Sequence, residues 1–389
     1  MPIINRVAEF HADIAAWRQH IHANPELLYD VHETAAFVVE QLKSFGVDEV
    51  VTGIGRTGVV GVIRGKGDSD RVVGLRADMD ALPITERTGK PYASGNSGKM
   101  HACGHDGHTA MLLGAARYLA ETRNFDGTVI VIFQPAEEGG GGGRVMVEDG
   151  LMERFGISQV FGMHNMPGIP LGEFAIRTGG IMAGTDQFAI DVEGHGGHAA
   201  MPHLAVDPVI VSAHIISGLQ TLVSRSIDPI RSAVLSVTTV NAGTAYNVIP
   251  RTARLTGTVR TLDEDVRTQM EEGIKRLAPQ LAQAFGANAT VTWMRGYPVT
   301  VNAPEQTDFA AEVAREIVGE DRVNDAVDPT MGGEDFAYML NARPGSYIFL
   351  GNGDSADLHT DTYDFNDEAI DLGVSYWVRL AERALAAQQ

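Results

Sequence analysis

Nine consecutive residues, Met100-His101-Ala102-Cys103-Gly104-His105-Asp106-Gly107-His108, hold the only cysteine of the chain and three of its thirteen histidines. Thiolate and imidazole are the donors that Zn²⁺ and neighbouring divalent ions prefer, so the stretch reads as a metal-binding loop. Cys103 and His105 stand two apart, a spacing that turns both to one side of an extended segment. Gly104 and Gly107 leave the backbone free to bend around an ion. Further along, Gln134-Pro135-Ala136-Glu137-Glu138-Gly139 sets two adjacent carboxylates behind an apolar run. Such a pair is costly to keep ionised unless a cation neutralises one of them. The natural division of labour has one glutamate on the metal and the other acting on water as general base.

Two more imidazoles follow apolar runs: His164 in His164-Asn165, and His359 in Asp357-Leu358-His359-Thr360-Asp361. The glycines of 139–143 lack the Gly-Lys-Ser/Thr of a phosphate-binding loop, which excludes that chemistry. Gly194-His195-Gly196-Gly197-His198-Ala199-Ala200-Met201-Pro202-His203 has the composition of a loop that reaches toward a ligand. Asn247 and Arg260 are suited to grip a carboxylate together, since arginine offers a bidentate fork.

These groups need a frame. Val7, Phe10, Ile14, Trp17 and Ile21 recur at helical spacing over 5–22, and Asn24-Pro25 ends that helix. A second helix is expected over 33–45, stopped by Gly46. Strands are expected over 58–63 and 71–77, the latter running into Asp78-Met79-Asp80, where open α/β sheets place their sites. A helix over 109–122 and strands over 128–133 and 157–163 continue the alternation, which signals a mostly parallel sheet flanked by helices. From 181 the texture changes. A strand over 186–192, a helix over 206–224, strands over 233–240 and 254–260, a helix over 263–284 and a strand over 289–293 spell βαββαβ, the ferredoxin-like unit. Helix and strand resume from 307, with a strand over 347–350 and a last helix over 367–387. The expected architecture is an α/β catalytic domain made of 1–180 and 296–389, with an inserted α+β domain at 181–295.

At 389 residues the chain exceeds what one hydrophobic core usually supports. With 30 Lys+Arg against 50 Asp+Glu the net charge is -20, which argues against nucleic acid or an anionic membrane as partner. A single cysteine excludes an intrachain disulfide and fits a reducing compartment. The opening MPIINRVAEFHADIAAWRQ has no apolar core of a signal peptide, and no run approaches the ~18 apolar residues of a membrane span. The expected location is the cytoplasm.

Taken together, the motifs resemble the M20 metallopeptidase family, in the amidohydrolase branch that includes hippurate hydrolases, N-acyl-amino-acid amidohydrolases and auxin-conjugate hydrolases. They begin with His22-Ala23-Asn24-Pro25-Glu26-Leu27, Arg76-Ala77-Asp78-Met79-Asp80-Ala81-Leu82-Pro83, Met100 through His108, and Gln134 through Glu138. Met163-His164, Gly197 through His203, Asn247-Val248-Ile249-Pro250 and Gly332-Gly333-Glu334-Asp335-Phe336 follow, so the likeness spans essentially the whole chain.

The resemblance implies two divalent ions per subunit, Zn²⁺ or Mn²⁺ with Co²⁺ or Ni²⁺ as alternatives, held by Cys103, His105, Glu138, His164 and His359. It makes Glu137 the general base and then the proton donor to the leaving amine. It further implies a homodimer formed through the inserted domain, with His198 of one subunit polarising the substrate carbonyl in the other. Asn247 and Arg260 would hold the substrate carboxylate. Other branches carry a histidine ligand where Asp78 stands, so the ligand must come from elsewhere, as from His105, while Asp80 orients a ligand imidazole. Asp106 and His108 are left open, with support of the ligands from behind as their alternative role. The implied substrate is a small N-acyl-L-amino acid. The rival readings are a metallocarboxypeptidase or dipeptidase on the same scaffold, and a non-catalytic metal-binding homologue.

Overall fold

A computed structural model describes residues 3–387. The chain divides into two compact units: one runs to Ile181 and takes in Val301–Asp328 and the chain from Asp335 onward, and the other comprises Met182–Thr300 with Pro329–Glu334. Among the described residues no helix is long and apolar enough to cross a membrane.

The first unit is built on one eight-stranded sheet: β1 (Glu49–Ile54), β2 (Gly58–Arg64), β3 (Gly67–Asp78), β4 (Asp126–Gln134), β5 (Gln159–Met166), β6 (Phe174–Ala175), β7 (Val323–Asn324) and β8 (Gly345–Gly351). Their spatial order is β1-β2-β4-β3-β5-β8-β6-β7. The four central strands β4, β3, β5 and β8 are mutually parallel, and β1 and β2 extend the sheet antiparallel on one side. Val129, Ile130, Val131, Ile132 and Phe133 are all buried, as strands covered on both faces must be. Helices α1 (Asn5–Ala23) and α3 (Ile370–Ala384) pack against α2 (His105–Thr122). Burial of α2 runs unbroken from His105 to Ala116, so it is an interior helix rather than an amphipathic surface one. Parallel strands end on the same side, and that shared edge is where the site lies.

The second unit is a four-stranded antiparallel sheet of Gly184–Glu193, Ala233–Ala242, Thr252–Thr261 and Asn288–Arg295. In chain order the strands sit second, third, first, fourth. Helices Pro208–Thr221 and Glu264–Ala284 cover the face that carries Phe188, Ile190 and Leu255. This is the expected βαββαβ unit. Asp207 and Asp263 accept backbone N–H groups at the two helix starts, the capping that short polar side chains provide.

Several elements differ from expectation. The helix expected from 109 starts at His105, because Gly104 adopts φ 91 and turns the chain directly into helical geometry. Cys103 and His105 therefore do not share an extended segment; His105 opens a helix. The strand expected over 157–163 is Gln159–Met166, which puts His164 and Asn165 inside it. β1 lies outside the expected elements, being a half-exposed edge strand whose Thr52 and Gly53 break its apolar run. The helix expected over 206–224 ends at Thr221 and continues as a wider turn over Leu222–Ser226.

Candidate metal centre

All five expected ligands belong to the first unit. Cys103 precedes α2 and His105 begins it, Glu137 and Glu138 follow β4, His164 lies near the end of β5, and His359 follows β8. Their donor atoms fall into overlapping groups, each within 4.8 Å: Cys103, His105 and His164; Cys103, Glu138 and His359; His105, Glu137 and Glu138. Cys103 Sγ is 3.4 Å from His164 Nε2. His359 Nε2 is 3.3 Å from Glu138 Oε1, and His105 Nε2 is 4.0 Å from the same oxygen.

The tautomers leave the inner nitrogens available. His105 Nδ1 lies 2.8 Å from the backbone oxygen of Asp80, and His164 Nδ1 lies 2.5 Å from the backbone oxygen of Asn165. A carbonyl only accepts, so each Nδ1 carries a hydrogen, and Nε2 is the nitrogen left to face an ion, which would displace any proton held there. His105 Nε2 and Glu138 Oε1 are buried and make no hydrogen bond, a state that normally costs about 1–3 kcal/mol per group. A cation between them removes that cost, and the soft-and-borderline set of one thiol, three imidazoles and a carboxylate suits a divalent transition ion.

The electrostatics point the same way. Burial pushes the Cys103 thiol well above its ordinary range, and the neighbouring carboxylates Glu138, Glu137 and Asp78 add to it. Burial disfavours a charged His105, yet Asp78 and Asp80 raise it to about 10. Burial, with His108 beside it, drives His164 well below the imidazole range. Burial opposes ionisation of Glu138, but His359 and His105 lower its pKa.

Two residues beside the centre hold left-handed backbone without being glycine: Ala136 at φ 55, directly before Glu137, and His359 at φ 62. Such conformations cost of order 1–3 kcal/mol and cluster at functional sites. Asp80 lies against the His105 ring, where an orienting role was expected, with its Oδ1 3.5 Å from Nδ1, and it does more. Its backbone carbonyl holds the His105 ring, while its carboxylate accepts the N–H groups of Glu137 at 3.0 Å and Glu138 at 3.1 Å. A tight turn leaves successive N–H groups without ladder partners, and a buried acceptor must supply them.

His108 and Asp106 carry ligand chemistry but are engaged elsewhere. His108 Nδ1 sits 2.7 Å from Asp78 Oδ1, and its Nε2 accepts from Asn165 N–H at 2.9 Å. Asp106 is 2.7 Å from His22 Nδ1 and 3.6 Å from Arg18 Nη1. Arg18 and His22 are four apart on α1, so they present one face to the start of α2. That spacing was a usable signal in the sequence.

In the second unit, Gly197-His198 pairs with Val248-Ile249 as a short two-stranded sheet, with Val248 opposite His198. Ala199 N–H donates to the Asn247 carbonyl at 3.0 Å, so His198 and Asn247 are neighbours. Arg260 is half-buried and donates to the Thr258 hydroxyl and the Val259 carbonyl. Among the described residues it pairs with no carboxylate, and burial lowers its pKa. Within one subunit Asn247 and Arg260 are held apart along the sheet. Asn247 precedes the strand Thr252–Thr261, whereas Arg260 lies eight residues along it, about 26 Å at the rise of an extended strand.

Comparison with known proteins adds three findings. Residues 74–383 match the model of peptidase family M20/M25/M40. A hippurate hydrolase from Campylobacter jejuni is 44% identical over 385 residues, 99% of this chain and 100% of that protein. An N-acetyl-L-cysteine deacetylase from Bacillus subtilis is 41% identical over 373 residues, 96% of this chain and 88% of that protein. The solved structure of a Bacillus subtilis protein described as a dinuclear metal-binding peptidase of the M20 family superposes with a TM-score of 0.86 at 35% identity, covering 97% of this chain and 99% of that one.

Proposed function

The chain belongs to peptidase family M20/M25/M40, in its amidohydrolase branch, and from that premise we propose that it hydrolyses N-acyl-L-amino acids to a carboxylate and a free amino acid. The observation that carries this reading is the set of overlapping donor groups around Cys103, His105 and Glu138, with two buried donor atoms left without hydrogen bonds. Held by Cys103, His105, Glu138, His164 and His359, a pair of divalent ions would acidify a water molecule and polarise an amide carbonyl. Zn²⁺ suits the sulfur and nitrogen donors best; Mn²⁺, Co²⁺ and Ni²⁺ are the alternatives.

An amide is a poor electrophile with a poor leaving group, so its hydrolysis needs a proton taken from water and a proton given to nitrogen. Glu137 does both. Its backbone is fixed by Asp80, it takes the proton as water attacks, and it returns that proton to the departing amine. His198 polarises the carbonyl, Asn247 beside it contacts the substrate, and Arg260 holds the amino-acid carboxylate, a fit for a guanidinium without an acidic partner. A substrate that touches both Asn247 and Arg260 must draw them from two copies of the chain. The second unit is therefore assigned to a homodimer interface, with each site completed by the partner subunit. The small anionic substrate and the net charge of -20 leave no role for nucleic acid or membrane. The cytoplasm is the proposed location.

Hybrid dimers test this reading. Glu137→Gln and His198→Ala subunits, carrying different tags, are mixed and the heterodimer is isolated. With His198 acting across the interface, one of the two sites in each hybrid is intact, so N-benzoylglycine turnover returns to about half the wild-type rate per dimer. Hybrids as inactive as both parents would place His198 in its own subunit's site. Wild-type protein that releases amino acid from no N-acyl substrate would overturn the function itself.

A further inference from the structure

The turn that presents Glu137 and Glu138 leaves the sheet at Gln134, the last residue of β4, and ends at Gly143, in the first turn of the helix Gly142–Glu148. Both ends bear on one buried carboxylate. Asp335 Oδ1 accepts Gln134 Nε2–H at 2.7 Å and Arg76 Nη2–H at 3.1 Å. Its Oδ2 accepts Gly143 N–H at 2.7 Å. Arg76, on β3 and itself buried, also donates to Gln134 Oε1 at 2.9 Å and to Asp78 Oδ2 at 2.7 Å. There is no slack at the far end. A methyl group on Gly143 would lie 2.8 Å from the Asp335 backbone oxygen and 3.0 Å from Gln134 Oε1. Asp335 is also where the chain re-enters the first unit after Pro329–Glu334.

We propose that Asp335 is a positioning residue: with Arg76 and Gln134 it clamps both ends of the 134–143 turn and so fixes where Glu137 and Glu138 stand. The inference rests on the roles assigned above to those two glutamates. Asp80 holds the middle of the turn through two amides, and Asp335 holds its ends. Misplacing a reacting group by about 1 Å can cost 10²-fold in rate, so the clamp is read in turnover as well as in stability.

The hydrogen-bond pattern supplies its own test. Asp335→Asn sets an amide NH₂ against either Gly143 N–H or the Gln134 NH₂. Gln134→Glu sets a second carboxylate against Asp335. Combining them rebuilds the bonds from position 335 to position 134 and to Gly143 in reverse, while Arg76 Nη2–H loses its acceptor at position 335. The new carboxylate at position 134 accepts from Arg76 and from the new amide at position 335, whose oxygen accepts Gly143 N–H. At saturating metal each single variant is expected to lose at least about tenfold in kcat, with KM for N-benzoylglycine within about twofold of wild type. Each is also expected to bind metal at least about tenfold more weakly, since Glu138 rides on the same turn. The Asp335→Asn/Gln134→Glu protein should recover part of both losses with KM still within about twofold of wild type, a kcat-against-KM split that a general loss of structure does not predict. If a single variant fails to fold, Gly143→Ala keeps every charge and is expected to show the same two losses. Single variants equal to wild type in kcat and metal affinity, or a double variant no better than its parents, would overturn the clamp. A wild type that hydrolyses no amide, while metal affinity follows the predicted pattern, would sink the functional reading and leave the clamp standing.

Discussion

His105 Nε2 and Glu138 Oε1 are buried and make no hydrogen bond, and around them Cys103, Glu137, His164 and His359 bring more donors within reach. Removing only the proton-accepting capacity of Glu137 tests its role at this scale. Glu137→Gln keeps the side chain's size and the backbone bond to Asp80, so metal content and KM should hold while kcat falls by about 10²–10⁴-fold. Steady-state kinetics beside metal analysis read this, and full retention of kcat would refute the general base. The donor types were legible in the sequence because thiol, imidazole and paired carboxylates are scarce and stood together or behind apolar runs. What was not legible is which donors are already engaged. His105 and His108 look alike in sequence, and they differ in that Asp78 and Asn165 occupy both nitrogens of His108. Those partners lie 30 and 57 positions away, beyond any local pattern.

At the scale of elements, the site depends on where strands stop and where α2 starts. Apolar runs and helical periodicity were enough to place β3, β4, the long helices and the βαββαβ unit. The start of α2 was not, because Gly104 in left-handed geometry makes a helix begin without any side-chain cap. Nor was β1, an edge strand whose partner β2 supplies the hydrogen bonds. Gly104→Ala is accordingly a severe change. Its methyl group would fall 2.0 Å from Asn165 Oδ1 at a φ that L-residues rarely adopt. We expect a loss of more than about 2 kcal/mol in stability, together with weakened metal binding, because Cys103 and His105 flank the turn. Thermal unfolding and metal titration measure both, and wild-type values for either would contradict the assigned role of this turn.

At the scale of the molecule, length argues for more than one hydrophobic core, and the strand order gives each unit its own kind of sheet. The sequence carried no sign that Asn247 and Arg260 sit at opposite ends of a strand region, since separation in space follows from register and not from residue type. That separation supports the proposal of a site that draws residues from two subunits. The central claim, amide hydrolysis that depends on the Cys103–His105–Glu138 centre, is tested most directly by removing the metal. Protein stripped with chelator and reloaded with Zn²⁺ or Mn²⁺ would be offered N-acetyl, N-benzoyl and N-indoleacetyl amino acids beside dipeptides with free amino groups. The expected result is no turnover when stripped, recovery that tracks bound metal, and release of free amino acid from the N-acyl substrates in preference to the dipeptides. Undiminished hydrolysis by stripped protein, or none by folded and reloaded protein, would contradict the claim, and a preference for the dipeptides would make the chain a peptidase.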